Sequence, residues 1–166
     1  MDLEIRAERP DDVDTVHAVV RDAFSSDEEA DLVAALRADP AWIADLSVVG
    51  SVDGQVVAHV LLTRCHIDGV AALALAPCSV APEHQRHGVG TAVIESALAR
   101  ARELGERAAV VLGHPDYYPR FGFTPAVEAG VRLSVPVPDE ALKVLALDPQ
   151  AAVPSGLVAY AAPFGI

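Results

Sequence analysis

Apolar side chains near the start of the chain predict one short strand and two amphipathic helices. Leu3 to Arg6 alternates apolar and polar residues, as a half-buried strand does. The helix-start residues Pro10-Asp11-Asp12 precede a run with apolar positions at helical spacing, namely Val13, Val16, Val20 and Phe24. Ser25 and Ser26 end that helix. A second helix is predicted from Asp27-Glu28-Glu29, with an apolar face of Leu32, Val33 and Leu36.

The middle of the chain predicts three consecutive antiparallel strands. Residues 47–52 and 55–67 flank Asp53-Gly54, a strong hairpin signal. Asp68-Gly69 makes a second turn into an apolar strand over residues 70–80.

Helix and strand patterns alternate in the second half. A helix is predicted from Thr91 to Leu104, stopped by Gly105, and a buried strand follows at residues 108–112. Further strands are predicted near residues 131–135, 143–147 and 157–160. The whole pattern predicts an α/β (or α+β) fold with a mixed sheet and helices on both faces, in one domain spanning residues 1–166.

Composition narrows the class of protein. With 52% hydrophobic and 22% charged residues, the 166-residue chain is typical of a globular domain. Its net charge of −12 argues against a nucleic-acid binder, and no apolar run is long enough for a membrane span. The acidic N-terminus lacks signal-peptide features, so we expect a cytoplasmic protein. The two cysteines and six histidines show no metal-ligand pattern, and a homodimer is left open.

A loop between the 70–80 strand and the next helix indicates a phosphate site. Two glycines at a helix start let a phosphate approach free backbone N–H groups. The dinucleotide fingerprint fails because Val93 replaces its third glycine, and the P-loop fails because the only lysine is Lys143. What remains is a Q-x-x-G-x-G pattern, formed by Gln85, Arg86, His87, Gly88, Val89, Gly90 and Thr91.

A second motif follows the 108–112 strand. Tyr118 lies four residues before Gly122-Phe123 within Tyr-Tyr-Pro-Arg-Phe-Gly-Phe. Together with the loop, this motif resembles the GCN5-related N-acetyltransferases (the GNAT superfamily). The run from Leu75 to Val80 and the closing Val158 and Tyr160 resemble the YhbS-like branch.

The resemblance implies the GNAT fold, a single, mostly antiparallel sheet with a splayed strand pair that holds acyl-CoA. Pro77 independently favours such a gap, because proline cannot donate a ladder hydrogen bond within a strand. By resemblance, Cys78, Ser79 and Val80 would contact the pantetheine arm of acetyl-CoA, and the loop from Gln85 to Thr91 would hold the pyrophosphate.

The resemblance also implies the reaction: transfer of an acetyl group from acetyl-CoA to a primary amine of a small molecule or peptide. Tyr118 would act as general acid towards the leaving thiolate, since tyrosine is protonated at neutral pH. We expect direct transfer rather than an acyl-enzyme on Cys78, because the sequence identifies no histidine partner. The first two helices and the C-terminal strands would frame the acceptor.

Several points stay open at this level. The acceptor, the acyl chain preference and the general base are undetermined. A non-catalytic CoA-binding regulatory module on the same fold is the alternative function. Candidates for the general base are Glu28, Glu29, His66, His114 and Asp116.

Overall fold

The chain folds around one long, twisted sheet with helices on both faces. The structure is a computed structural model and describes residues 2–166. Three helices are present: α1 (Val13–Phe24), α2 (Glu28–Arg37) and α3 (Val89–Glu103). The strands are β1 (Leu3–Ala7), β2 (Ser47–Val52), β3 (Gln55–Ile67), β4 (Val70–Val80), β5 (Ala108–Leu112), β6 (Thr124–Pro125), β7 (Val131–Arg132), β8 (Leu142–Ala146) and β9 (Gly156–Ala159).

The sheet is mostly antiparallel, with a parallel pair, β4–β5, at its centre and a short parallel pair, β7–β9, off the main strand order. The strand order is β1-β2-β3-β4-β5-β8-β6, and β9 joins the far end of β3 and also pairs with β7. Strands β4 and β5 are parallel because α3 forms the crossover between them. The fold is therefore the predicted mixed, mostly antiparallel sheet with helices on both faces.

Each face of the sheet has its own hydrophobic core. Helix α3 packs on one face, with Val93, Ile94 and Leu98 against even-numbered residues of β3 such as Leu62. Helices α1 and α2 pack on the other face through Val16, Val20, Val33 and Leu36. A third cluster lies beneath β8 and β9, around Ile67 and Val110.

The predicted elements agree closely with the observed ones. Strands β2, β3, β4 and β5 have the predicted boundaries. Helix α3 begins at Val89 instead of Thr91, because Gly88 adopts a left-handed conformation (φ 79°) and serves as its N-cap. The strand expected over residues 131–135 covers only Val131–Arg132, since Pro136 and Pro138 follow it closely.

Helix termini explain the turn between α1 and α2. Ser25 takes a left-handed conformation (φ 54°) and ends α1. The Ser26 hydroxyl then accepts a hydrogen bond from the N–H of Glu28 (3.1 Å), at the first residue of α2. This short turn keeps the C-terminal end of α1 next to the start of α2.

Candidate active site

The site begins where β4 separates from β5. Their parallel pairing ends at Leu75 and Val111, although β4 continues for five more residues. On its other side, β4 carries one extra residue against β3, because the register shifts between the Leu62–Leu75 and Val60–Cys78 pairs. Pro77 lies within this bulge. The predicted gap between β4 and β5 is thus observed, and within residues 2–166 the backbone of β4 beyond Leu75 has no strand partner on the β5 side.

The loop after β4 leaves a row of free backbone donors. Among residues 2–166, the N–H groups of residues 86–91 donate to no backbone carbonyl. Arg86 (φ 65°) and Gly88 (φ 79°) both adopt left-handed conformations, which turn the chain abruptly into α3. The side-chain amide of Gln85 donates to the carbonyl of Val80 (2.9 Å) and so ties the loop to the end of β4. Free N–H groups at a helix start are suited to an anion.

Two cavities meet at the open end of β4. The larger, of about 580 Å³, lies beside the start of α3. The smaller, of about 380 Å³, lies between the diverging strands and the C-terminal segment. Three residues line both cavities: Phe24, Cys78 and Tyr118. The two spaces therefore adjoin at the thiol of Cys78 and the ring of Tyr118.

Tyr118 is fixed across the gap by packing. It opens a short 3₁₀ helix (Tyr118–Phe121) after β5, and its ring lies directly against Gly113. A Cβ atom at Gly113 would lie only 2.9 Å from Cε2 of Tyr118. Burial, together with Cys78 and Tyr117 nearby, raises the pKa of Tyr118 above its ordinary value. The hydroxyl is therefore protonated at neutral pH and available as a donor.

The neighbouring Tyr117 points elsewhere, as expected for adjacent helical residues. Its hydroxyl lies 3.2 Å from Oγ1 of Thr91, at the start of α3. The guanidinium of Arg120 stacks over its ring at 4.3 Å and donates to its backbone carbonyl (2.8 Å). Tyr117 thus links the segment from Tyr117 to Phe123 to the start of α3.

The predicted donor-site residues on β4 differ in their orientation. Cys78 and Val80 line the larger cavity, whereas the side chain of Ser79 is buried in register with His59 on the other face. Ser79 is 1% exposed and lines neither cavity, so the structure does not bring its side chain to the predicted donor site. Burial raises the pKa of Cys78 to about 12, so its thiol is uncharged at neutral pH.

The remaining loop residues occupy three kinds of position, and one of them, Val89, is buried in the hydrophobic core rather than open to the cavity. Gln85 and Gly90 line the larger cavity, and a Cβ at Gly90 would lie 3.4 Å from Val80 Cγ2 and 3.5 Å from the Tyr117 hydroxyl. The side chains of Arg86 and His87 are exposed at the outer edge of the loop.

The five candidates for the general base differ in whether they line either of the two cavities. His66 is exposed at the far end of β3, paired with Ala71, and Glu28 is exposed on α2; neither lines a cavity. His114 and Asp116 line the larger cavity, where Nδ1 of His114 accepts the Asp116 N–H (3.3 Å). Only Glu29 lines the smaller cavity.

Several lining residues were not among the predicted site residues. Arg120 belongs to the Tyr-Tyr-Pro-Arg-Phe-Gly-Phe motif and Tyr160 to the closing segment of the resemblance, but neither was assigned a role in the site. The others come from distant parts of the chain, and no local motif marks them: Phe24, Gly113, Phe164 and Ile166. The apolar spacing of α1 assigns Phe24 to the core, yet the structure leaves it 41% exposed at the cavities.

Two negative observations apply to residues 2–166. No cluster of three or more histidine, cysteine or acidic side chains is arranged to hold a metal ion. No helix in this part of the chain is long and apolar enough to cross a membrane.

Comparison with known proteins identifies the family. The family model of the acetyltransferase (GNAT) domain matches residues 4–126. The uncharacterized N-acetyltransferase YjhQ of Escherichia coli K12 is 37% identical over 134 residues, covering 78% of this chain and 74% of YjhQ. The uncharacterized N-acetyltransferase YhbS of the same strain is 34% identical over 161 residues, covering 94% and 95%.

Solved structures of similar proteins lead to the same family. YhbS from Escherichia coli in complex with CoA superposes with a TM-score of 0.92 at 32% identity, covering 99% of this chain and 92% of that one. A GNAT family acetyltransferase from Brucella melitensis in complex with acetyl-CoA gives 0.82 at 34% identity, with 98% of both chains covered. The chain therefore belongs to the GNAT family of acetyltransferases, in its YhbS-like branch, and is an N-acetyltransferase.

Proposed function

We propose that this enzyme transfers the acetyl group of acetyl-CoA directly to a primary amine of a small molecule or peptide. The observation that carries the proposal is the gap between β4 and β5, which opens beside free helix-start N–H groups and contains Tyr118. The complexes of YhbS with CoA and of the Brucella melitensis relative with acetyl-CoA support the choice of donor.

In this proposal the donor binds along the larger cavity. Its pyrophosphate accepts hydrogen bonds from the N–H groups of residues 86–91, and its pantetheine arm lies along the unpaired backbone of residues 76–80. Gln85 supports the loop through Val80, and the exposed guanidinium of Arg86 and imidazole of His87 lie at the outer edge for the phosphates. The thioester then lies near Cys78 and Tyr118, where the two cavities meet.

The chemistry needs one proton donor at the sulfur. The amine attacks the thioester carbon, the C–S bond breaks, and the Tyr118 hydroxyl gives its proton to the departing thiolate. A backbone N–H of the open β4 segment stabilises the developing oxyanion. Direct transfer is favoured over an acyl-enzyme, because the buried Cys78 thiol, with a pKa of about 12, is a poor nucleophile.

The first experiment tests the donor. Thermal unfolding with acetyl-CoA, longer acyl-CoAs and NAD should show stabilisation by CoA esters alone, since a ligand that binds only the folded state raises Tm. Absence of stabilisation by every CoA ester would contradict the donor site.

The second experiment tests Tyr118. Tyr118→Phe should lower kcat by about 100-fold or more, the usual contribution of a general acid, and leave acetyl-CoA affinity unchanged. Tyr117→Phe, which removes the Thr91 contact instead, should lower kcat far less. Full activity of Tyr118→Phe would refute the assigned role, and wild-type protein that binds acetyl-CoA but releases no thiol with any amine would favour the non-catalytic module.

A further inference from the structure

The smaller cavity has an apolar wall with two isolated polar groups. Leu75, Val111 and Leu112 line one side, and Phe164 and Ile166 line the other. Apart from Cys78 and Tyr118, where the two cavities meet, the polar side chains of this wall belong to Glu29, near the start of α2, and Tyr160, just after β9. A cavity of about 380 Å³ is in the range of small-molecule sites.

Both polar groups lack a partner within residues 2–166. Oε2 of Glu29 is shielded from solvent and makes no hydrogen bond, and none of the four ion pairs in this part of the chain includes Glu29. The hydroxyl of Tyr160 is likewise buried and unpaired. A buried, unpaired carboxylate oxygen destabilises the folded state unless something donates to it. The other oxygen, Oε1, is not shielded in this way, and it is the atom that an incoming ammonium group in the cavity would reach.

The neighbouring residues support a ligand in this position. Cys78 and Tyr118, which border the donor cavity, also line this one, so a ligand here would approach the thioester from the side opposite the CoA. Glu29 supplies the only acidic side chain of the wall. One carboxylate surrounded by apolar groups complements a single positive charge on an apolar body, whereas a polyamine would leave its further charges against hydrocarbon.

We propose, on the basis of the proposed function above, that the smaller cavity is the acceptor site, that it selects a primary amine on an apolar or aromatic body, and that Glu29 is its general base. Tyr160 donates a hydrogen bond within the same site and positions the acceptor.

The proton balance is complete with these groups. Glu29 takes one proton from the ammonium, and the free amine forms the C–N bond at the thioester carbon. The C–S bond breaks, Tyr118 protonates the sulfur, and the second amine proton restores Tyr118. Glu29 finally releases its proton to solvent, so the products are the amide, free CoA and one proton.

The test compares acceptors and two adjacent glutamates. With wild-type enzyme, kcat/KM should be at least tenfold higher for 2-phenylethylamine than for spermidine. Glu29→Gln should lower kcat/KM for 2-phenylethylamine about 100-fold at neutral pH, the usual effect of removing a general base, and the loss should shrink as pH rises and the amine deprotonates unaided. Glu28→Gln removes the same charge from the exposed neighbouring position and should behave as wild type.

Tyr160→Phe provides a second variant that keeps the ring and its packing on Phe164. It should raise KM for the amine more than it lowers kcat, and both site variants should keep the wild-type stabilisation by acetyl-CoA.

Each outcome separates the two proposals. If acetyl-CoA stabilises the wild-type protein, three results would overturn the acceptor assignment alone. These are a kcat/KM for spermidine equal to or above that for 2-phenylethylamine, no acetylation of either amine, or a fully active Glu29→Gln. An equal loss in Glu28→Gln would also overturn it, as would a loss in Glu29→Gln that high pH does not reduce. Failure of acetyl-CoA to bind wild-type protein would instead overturn the proposed function.

Discussion

At the scale of single residues, the contact between Gly113 and Tyr118 determines where the proposed proton donor lies. The ring fills the space that a side chain at position 113 would need, and it also makes an edge-on contact with Phe123 (centroids 5.9 Å apart). The position of the Tyr118 hydroxyl is therefore determined by Gly113, which has no side chain and takes no part in the proposed reaction.

Gly113→Ala should move this ring. Because the new Cβ would lie 2.9 Å from Cε2, the ring must shift, and a displacement of about 1 Å can cost up to about 100-fold in rate. We expect kcat to fall about 10- to 100-fold with acetyl-CoA affinity unchanged, as measured by thiol release and thermal shift.

The double variant supplies the control. Gly113→Ala in a Tyr118→Phe background should have little further effect on kcat, because the group it displaces is already absent. Additive losses would show that Gly113 acts on something other than Tyr118.

At the scale of elements, the site depends on the start of α3 lying close to the open end of β4. Gly90 marks the closest approach, with Val80, the Tyr117 hydroxyl and Cys78 all within 4 Å of its hypothetical Cβ. The hydrogen bonds from Gln85 to Val80 and between Thr91 and Tyr117 hold this arrangement from two sides.

Gly90→Leu should block the donor cavity without disturbing the helix. Leucine is a better helix former than glycine by up to about 1 kcal/mol, and the backbone at Gly90 is not left-handed. We expect the Tm of the free protein to be retained and the stabilisation by acetyl-CoA to be lost. Ala99→Leu, on the exposed side of the same helix, is the matched control. Unchanged acetyl-CoA affinity of Gly90→Leu would place the donor elsewhere.

The loop and the strand gap could be predicted from the sequence, because each depends on residues that are neighbours along the chain. Free N–H groups follow from a helix start, and the gap follows from a proline that cannot donate, so Gln85–Thr91 and Pro77 could be interpreted from neighbouring residues alone. The proposed role of Glu29 could not be predicted from neighbouring residues. In the sequence it is one of three acidic residues in the first turn of α2, and only packing distinguishes it from the exposed Glu28.

At the scale of the whole molecule, the two faces of the sheet differ in their buried polar groups. On the face covered by α1 and α2, His59 is fully buried, shares a hydrogen bond of 2.9 Å with Ser47 Oγ, and lies opposite Ser79. Burial and, to a lesser extent, the charge of Arg37 lower the pKa of His59 to about 3. The folded protein therefore contains this imidazole in its neutral form.

His59 should make the fold sensitive to mild acid. Its unfolded pKa is about 6.5, so between that pH and about 3 the unfolded chain binds a proton that the folded chain does not. The free energy of unfolding should consequently fall as pH drops, by about 3 kcal/mol between pH 6.5 and 4. Asp12, whose pKa is lowered mainly by its hydrogen bond from Arg6, loses its contribution only at lower pH.

Urea unfolding at several pH values measures this effect. His59→Gln should flatten the profile between pH 6.5 and 4, whereas His66→Gln, at an exposed position, should keep the wild-type slope. Identical slopes for wild type and His59→Gln would assign the acid sensitivity to other groups.

The sequence by itself determined the strands, the helices and the glycine-containing loop from Gln85 to Thr91 of this acetyltransferase, because period, turn chemistry and helix-start geometry act over a few neighbouring residues. Tertiary structure decided the rest. It brought Phe24, Glu29, Gly113, Tyr160 and Phe164 to one opening in the sheet. The proposed acceptor site is made of these side chains, and their proximity arises only when α2, β5 and the C-terminal segment pack around the same gap.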